Sequence, residues 1–116
     1  MILSENELEG YCMDFHFTYN EADQYDDPLL HKYLQYVRVL EMLEKKDGHD
    51  TPSADTLFYS RYYCFQQLKR RHFALYGPDE GLEQQSFRIL EGYQERFPGR
   101  IDWSMIEQID HAPLMR

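Results

Sequence analysis

Cys12 and His16 are the two side chains whose spacing comes closest to a metal site. Residues four apart share one face of a helix, where a thiolate and an imidazole can both bind Zn²⁺. Two ligands do not complete a site, and no pattern brings His72 or His111 to them. We therefore interpret Cys12 as an inert thiol and expect no metal and no other cofactor.

The other candidates for chemistry do not predict catalysis. Cys64 falls on an apolar row of a predicted helix, which predicts a buried thiol of low reactivity. Glu41 and Glu44 could form a pair of carboxylates. Glu91 and Glu95 could do the same, but this spacing is more typical of an exposed helix face. No Glu-x-x-His motif and no glycine-rich phosphate loop accompanies them. We expect that the protein is not an enzyme.

A basic and aromatic stretch, RYYCFQQLKRRHF, contains Arg61, Lys69, Arg70 and Arg71. Such a stretch could bind nucleic acid through cations and stacking rings. It could also be a solvated helix face, or it could contact the acidic N-terminal segment of the same chain. Because the net charge is −9, we expect no direct contact with nucleic acid.

Acidity is concentrated at one end of the chain. Residues 1–27 hold eight Asp and Glu and no Lys or Arg, whereas the other 89 residues hold 13 acidic and 12 basic residues. The segment could be a partly disordered, solubilising tail, but aromatic residues alternate with its acids, and such tails are depleted of aromatics. Acids and rings together predict a surface for a basic partner protein. The candidate residues are Glu5, Glu9, Asp14, Glu21, Asp23, Asp26 and Asp27 for charge, with Tyr11, Phe15, Phe17, Tyr19 and Tyr25 as anchors.

Helical periodicity predicts the elements that position these residues. Helix starts are predicted at Asp27 before Pro28, at Thr51 before Pro52, at Asp79 and at Asp102. Gly48, Gly77 and the Pro98-Gly99 pair predict helix ends. The last helix would bury Trp103, Ile106 and Ile109. Short connections predict antiparallel neighbours.

Residues 10–20, GYCMDFHFTYN, fit two structures. Large side chains at alternate positions from Tyr11 to Tyr19 predict a half-buried strand. Ser4 followed by Glu7 predicts a capping box instead, with helical spacing of apolar residues after it. Since no second strand is predicted, we favour a helix over about residues 5–16. A strand would have to pair with another chain, either a second copy in a homodimer or the target.

Length and composition indicate one helical domain over residues 1–116, an all-α antiparallel bundle of four to five helices. Residues 1–27 would be an acidic aromatic segment that packs on this bundle or extends from it. The two cysteines form no CxxC pair, which indicates a reduced, cytoplasmic setting. The start of the sequence does not have the pattern of a signal peptide, and no apolar run could span a membrane.

In size, acidity and lack of catalytic motifs, the sequence resembles small phage-encoded inhibitors of host defence, including anti-CRISPR and anti-restriction proteins. It also resembles bacterial immunity proteins. The resemblance is one of general character, so it assigns no residue roles. It implies a non-catalytic inhibitor or regulator that occupies a basic site on a partner, as a nucleic-acid mimic would. The alternative is a structural or assembly factor, such as a helical chaperone or a self-associating subunit.

Overall fold

Five α-helices form the regular structure of the residues described by this computed structural model, which are 2–14, 25–46 and 51–112. The helices are α1 (Glu5–Asp14), α2 (Pro28–Glu44), α3 (Ala54–Tyr76), α4 (Glu80–Arg96) and α5 (Trp103–Asp110). The predicted all-α bundle of four to five helices is confirmed.

Side-chain caps begin these helices, and most of the caps were predicted. The carboxylate of Asp27 accepts from the amide of Leu30 at 3.1 Å. Asp79 and Asp102 cap α4 and α5 in the same way. The start predicted at Thr51 is wrong, because Ser53 provides the cap and its hydroxyl accepts from the amide of Thr56.

The stretch before residue 15 is a helix, so the strand interpretation is wrong for residues 10–14. Ser4 and Glu7 form the predicted capping box: the amide of Glu7 donates to the Ser4 hydroxyl, and the amide of Ser4 donates to the Glu7 carboxylate, each at 3.2 Å. Leu8 and Cys12 are buried on the inner face of α1. Residues 15–20 of the same stretch, and Gly48, lie outside the described residues.

Helix α3 is the centre of the fold, and α2 and α4 both run antiparallel to it. The start of α2 meets the end of α3 through Asp27 and Arg71, while the end of α2 meets the first half of α3 through Glu44 and Arg61. In the same sense, Phe58 near the start of α3 packs on Tyr93 near the end of α4.

Helix α1 departs from this antiparallel order, because it runs in the same direction as α2. Glu5 pairs with Lys32, and one turn later Glu9 accepts a hydrogen bond from the hydroxyl of Tyr36. Residues 15–27 connect the two helices, and a connection of this length does not require antiparallel neighbours. The amide of Leu3 then ties the start of α1 to the buried hydroxyl of Ser60 on α3, at 2.8 Å.

Two groups of buried side chains form the core on opposite sides of α3. One includes Leu8, Leu40 and Cys64, and the other surrounds Phe58. The predicted burial of Trp103 is wrong: Ile106 and Ile109 are buried, whereas Trp103 is 58% exposed. Leu75 and Tyr76, at the end of α3, are exposed as well. They follow Arg71, the residue that meets the start of α2, and therefore extend past that helix.

Candidate protein-binding surface

Three of the predicted partner-binding acids have structural contacts within the chain. Asp27 caps α2 and also accepts two hydrogen bonds from the guanidinium of Arg71, at 2.7 and 3.1 Å. Glu5 is paired with Lys32, and Glu9 binds the Tyr36 hydroxyl. These contacts join α1 to α2 and α2 to α3, so part of the acidic segment stabilises the fold.

Burial and pairing shift the pKa values of the groups that make these contacts. The hydrogen bond from Arg71, with a further one from the amide of Leu30, holds the pKa of Asp27 below its usual range. Burial, followed by the Glu9 carboxylate, raises the pKa of Tyr36 strongly. The Tyr36 hydroxyl therefore keeps its proton at neutral pH and remains the donor to Glu9.

Asp14 and Asp26 are the predicted acids that stay exposed with neither an ion pair nor a hydrogen bond among the described residues. The rings of Tyr11 and Tyr25 are half-buried and pack against the core. Tyr25 also contacts the ring of His72 edge-on, with centroids 6.0 Å apart. The remaining predicted residues lie outside the described part of the chain: Phe15, Phe17, Tyr19, Glu21 and Asp23.

The basic stretch on α3 is engaged within the fold. Arg61 forms an ion pair with Glu44 at 3.0 Å, and Lys69 forms one with Glu83 at 3.4 Å. Arg70 donates to the backbone carbonyl of Ala112, beyond the end of α5. Contact with the acidic N-terminal segment is made by Arg71, through Asp27. The stretch thus connects α3 to α2, α4 and the residues after α5.

The side chains considered above for catalysis or metal binding are either buried or engaged in contacts within the fold. Cys64 is fully buried as predicted, and burial raises its pKa far above that of a free thiol. Burial and Glu9 raise the pKa of Cys12 to about 11. Within residues 2–14, 25–46 and 51–112, no three His, Cys, Asp or Glu side chains are grouped so that they could hold a metal ion.

The predicted carboxylate pair of α2 is divided between two arginines. Glu41 binds Arg38 at 2.9 Å, and Glu44 binds Arg61. Glu44 lines a cavity of about 400 Å³ between the end of α2, the start of α3 and the end of α4. Burial raises the pKa of Glu44, and the neighbouring charges of Arg61 and Arg96 oppose this shift.

Two exposed aromatic residues were missed as candidates by the sequence analysis. Phe87 on α4 is 55% exposed, and Trp103 lies near it at the start of α5. The position of Phe87 was the available signal, because it falls outside the helical apolar face formed by Leu82, Ile89 and Tyr93.

No family model, no curated protein and no solved structure matches this chain. The fold therefore defines the class, a small all-α bundle centred on α3. No helix in the described ranges combines the length and the apolar character needed to cross a membrane.

Proposed function

We propose that this protein is a non-catalytic inhibitor or regulator that uses exposed acidic residues to occupy a basic site on a partner protein, such as a site that otherwise holds nucleic acid. The observation that supports this proposal is the division of charge in the fold. Many cations form ion pairs with acids of the same chain, whereas many other acids lie on the surface without a counter-ion.

Ion pairs within the described residues engage six of the chain's 12 basic residues: Lys32, Arg38, Arg61, Lys69, Arg71 and Arg100. Six exposed acids in the same ranges have no ion pair, no capping role and no side-chain hydrogen bond: Asp14, Asp26, Glu80, Glu91, Glu95 and Glu107. Unpaired surface carboxylates attract a basic partner over a distance of about 10 Å at moderate ionic strength. This attraction favours fast association with a cationic surface.

The proposal also agrees with the general character of phage anti-defence proteins, including anti-CRISPR proteins that act as nucleic-acid mimics. We place its action in the cytoplasm, in line with its two free, buried cysteines.

Partner capture tests this function. The tagged protein is incubated with lysate of the source cell, washed at low and then at high ionic strength, and the eluates are identified by mass spectrometry. We expect a nucleic-acid-binding protein that is released by salt and whose own nucleic acid competes with our protein for it. Recovery of this protein alone, as a stable multimer, would contradict the proposal and favour an assembly factor.

The contribution of the N-terminal acids is tested on the captured partner with the double variant Asp14→Lys/Asp26→Lys. Asp27 stays unchanged because it caps α2. We expect the association rate constant at low salt to fall about tenfold and its salt dependence to become shallower. Stopped-flow fluorescence measures both quantities.

The matched control is Glu80→Lys/Glu107→Lys, which changes the net charge equally at two other exposed, unpaired acids. We expect it to slow association less. An equal effect of the two double variants would show that total charge matters and that the N-terminal acids have no special role. No effect of either variant would exclude an interface that depends on these four acids.

A further inference from the structure

A groove lies between α4 and α5. Both helices pack on α3, and in the described part of the chain neither packs on the other. The groove has a volume of about 450 Å³. Its lining residues are Phe87, Leu90, Glu91, Gln94 and Glu95 of α4 and Trp103 of α5.

The floor and walls of this groove are apolar. Phe87 and Trp103 are each more than half exposed, and Leu90 lies between the surface and the core. Neither exposed ring is needed to hold its helix, because Tyr93 attaches α4 to α3 and Ile106 attaches α5. Two large rings exposed together leave an apolar area in water, which is a common feature of docking sites.

The rim of the groove is acidic. Glu91 and Glu95 are one helical turn apart on α4, and neither forms an ion pair with a described residue. Like charges at this spacing repel each other and destabilise a helix slightly. Cations of a bound partner would remove that repulsion, whereas an anionic ligand would increase it.

We propose that this groove binds a basic amphipathic segment of the partner protein. A large apolar side chain of the segment contacts Phe87 and Trp103, while flanking Lys or Arg side chains pair with Glu91 and Glu95. The inference rests on the proposed function, since it assigns the basic partner a docking site. This groove differs from the N-terminal acids Asp14 and Asp26 in that an apolar anchor, and not charge alone, supplies the affinity.

Charge complementarity favours a basic segment over the other possible occupants of the groove, which are a second copy of the chain, a nucleic acid and an anionic lipid surface. A second copy carries the same net charge of −9, so two copies repel each other. Nucleic acids and anionic lipid surfaces would meet the carboxylates of Glu91 and Glu95 at the rim. A cationic segment with an apolar face matches both the rim and the floor.

Trp103 makes the groove directly observable, because it is the only tryptophan of the chain. The probe is a synthetic amphipathic helix of Leu and Lys, about five turns long (~18 residues) and free of tryptophan. We expect saturable binding that shifts the emission of Trp103 to shorter wavelength and protects it from acrylamide quenching. A peptide of the same composition in scrambled order should bind about tenfold more weakly, because it does not present the apolar face.

Three variants separate the parts of this interaction. Phe87→Ser should weaken peptide binding about tenfold, as expected for loss of an aromatic anchor. Glu91→Lys/Glu95→Lys should weaken it and make it less dependent on salt. The matched control is Leu75→Ser/Tyr76→Ser, which removes exposed apolar side chains from the end of α3 and should leave the affinity unchanged. Circular dichroism verifies that each variant is folded.

Each contrary outcome overturns the inference in an identifiable way. If the peptide binds without changing Trp103 emission, or if Phe87→Ser binds normally, the groove is not the site, while capture of a basic partner would still support the proposed function. If the peptide does not bind at all, the groove assignment fails, and the lysate experiment decides the proposed function separately. A blue shift with protein concentration alone would assign the groove to a second copy. A shift with duplex DNA or anionic vesicles would likewise exclude a basic segment.

Discussion

Replacing Phe58 with alanine should lower the free energy of unfolding by about 3–5 kcal/mol, the usual range for truncation of a buried aromatic ring. The Phe58 side chain is 1% exposed, and its ring stacks on that of Tyr93 with centroids 3.9 Å apart. The rings of Tyr59 and Tyr62 pack beside it. Alanine would leave a cavity among stiff aromatic side chains, which cannot collapse easily to fill it.

Equilibrium unfolding in urea, followed by far-UV circular dichroism, measures this loss. Phe87→Ala is the matched control, because it is the same substitution at an exposed position of the neighbouring helix. We expect the control to change the free energy of unfolding by no more than about 0.5 kcal/mol. Equal losses in the two variants would show that the aromatic group around Phe58 does not stabilise the protein as described.

Replacing Asp27 with alanine should lower the free energy of unfolding by about 1–2 kcal/mol, because α2 loses its N-cap. The same substitution removes the acceptor of both hydrogen bonds from Arg71, so α2 and α3 lose a contact between them. Asp27→Asn should cost less, since asparagine also caps helices well. A loss for Asp27→Asn as large as that for alanine would mean that the charge matters more than the cap.

The same carboxylate makes stability depend on pH. Since Arg71 holds the pKa of Asp27 below its usual value, the folded state releases this proton more readily than the unfolded state. The resulting stabilisation is complete above the unfolded pKa of about 3.9. It is lost as the pH falls through the lower pKa of the folded state. The difference in unfolding free energy between wild type and Asp27→Asn should therefore shrink on acidification, and a constant difference would contradict the pairing with Arg71.

Helix starts could be predicted from the sequence because capping depends on residues close together in the chain. Asp27, Asp79 and Asp102 each accept from an amide two or three residues later. The prediction at Thr51 failed where two good capping residues, Thr51 and Ser53, stand on either side of a proline.

The structural role of the acidic segment was harder to predict from the sequence, because it depends on contacts with residues that are distant in the chain. Glu9 meets Tyr36, 27 positions away, and Asp27 meets Arg71, 44 positions away. Composition shows an excess of acid but not which carboxylates are paired after folding. The groove between α4 and α5 could not be predicted from the sequence for a similar reason. Trp103 precedes Ile106 at helical spacing and was expected in the core, and its exposure follows from the separation of α4 and α5.

The partners of α3 on its aromatic side are made late during synthesis. The Tyr62 hydroxyl donates to Asp110, which is added to the chain 48 residues later. At translation rates of roughly 5–20 residues per second, that interval is about 2–10 s. During this interval the rings around Phe58 lack some of the residues that bury them. A nascent chain is therefore most exposed to aggregation, and most in need of a chaperone, between the emergence of α3 and that of α5.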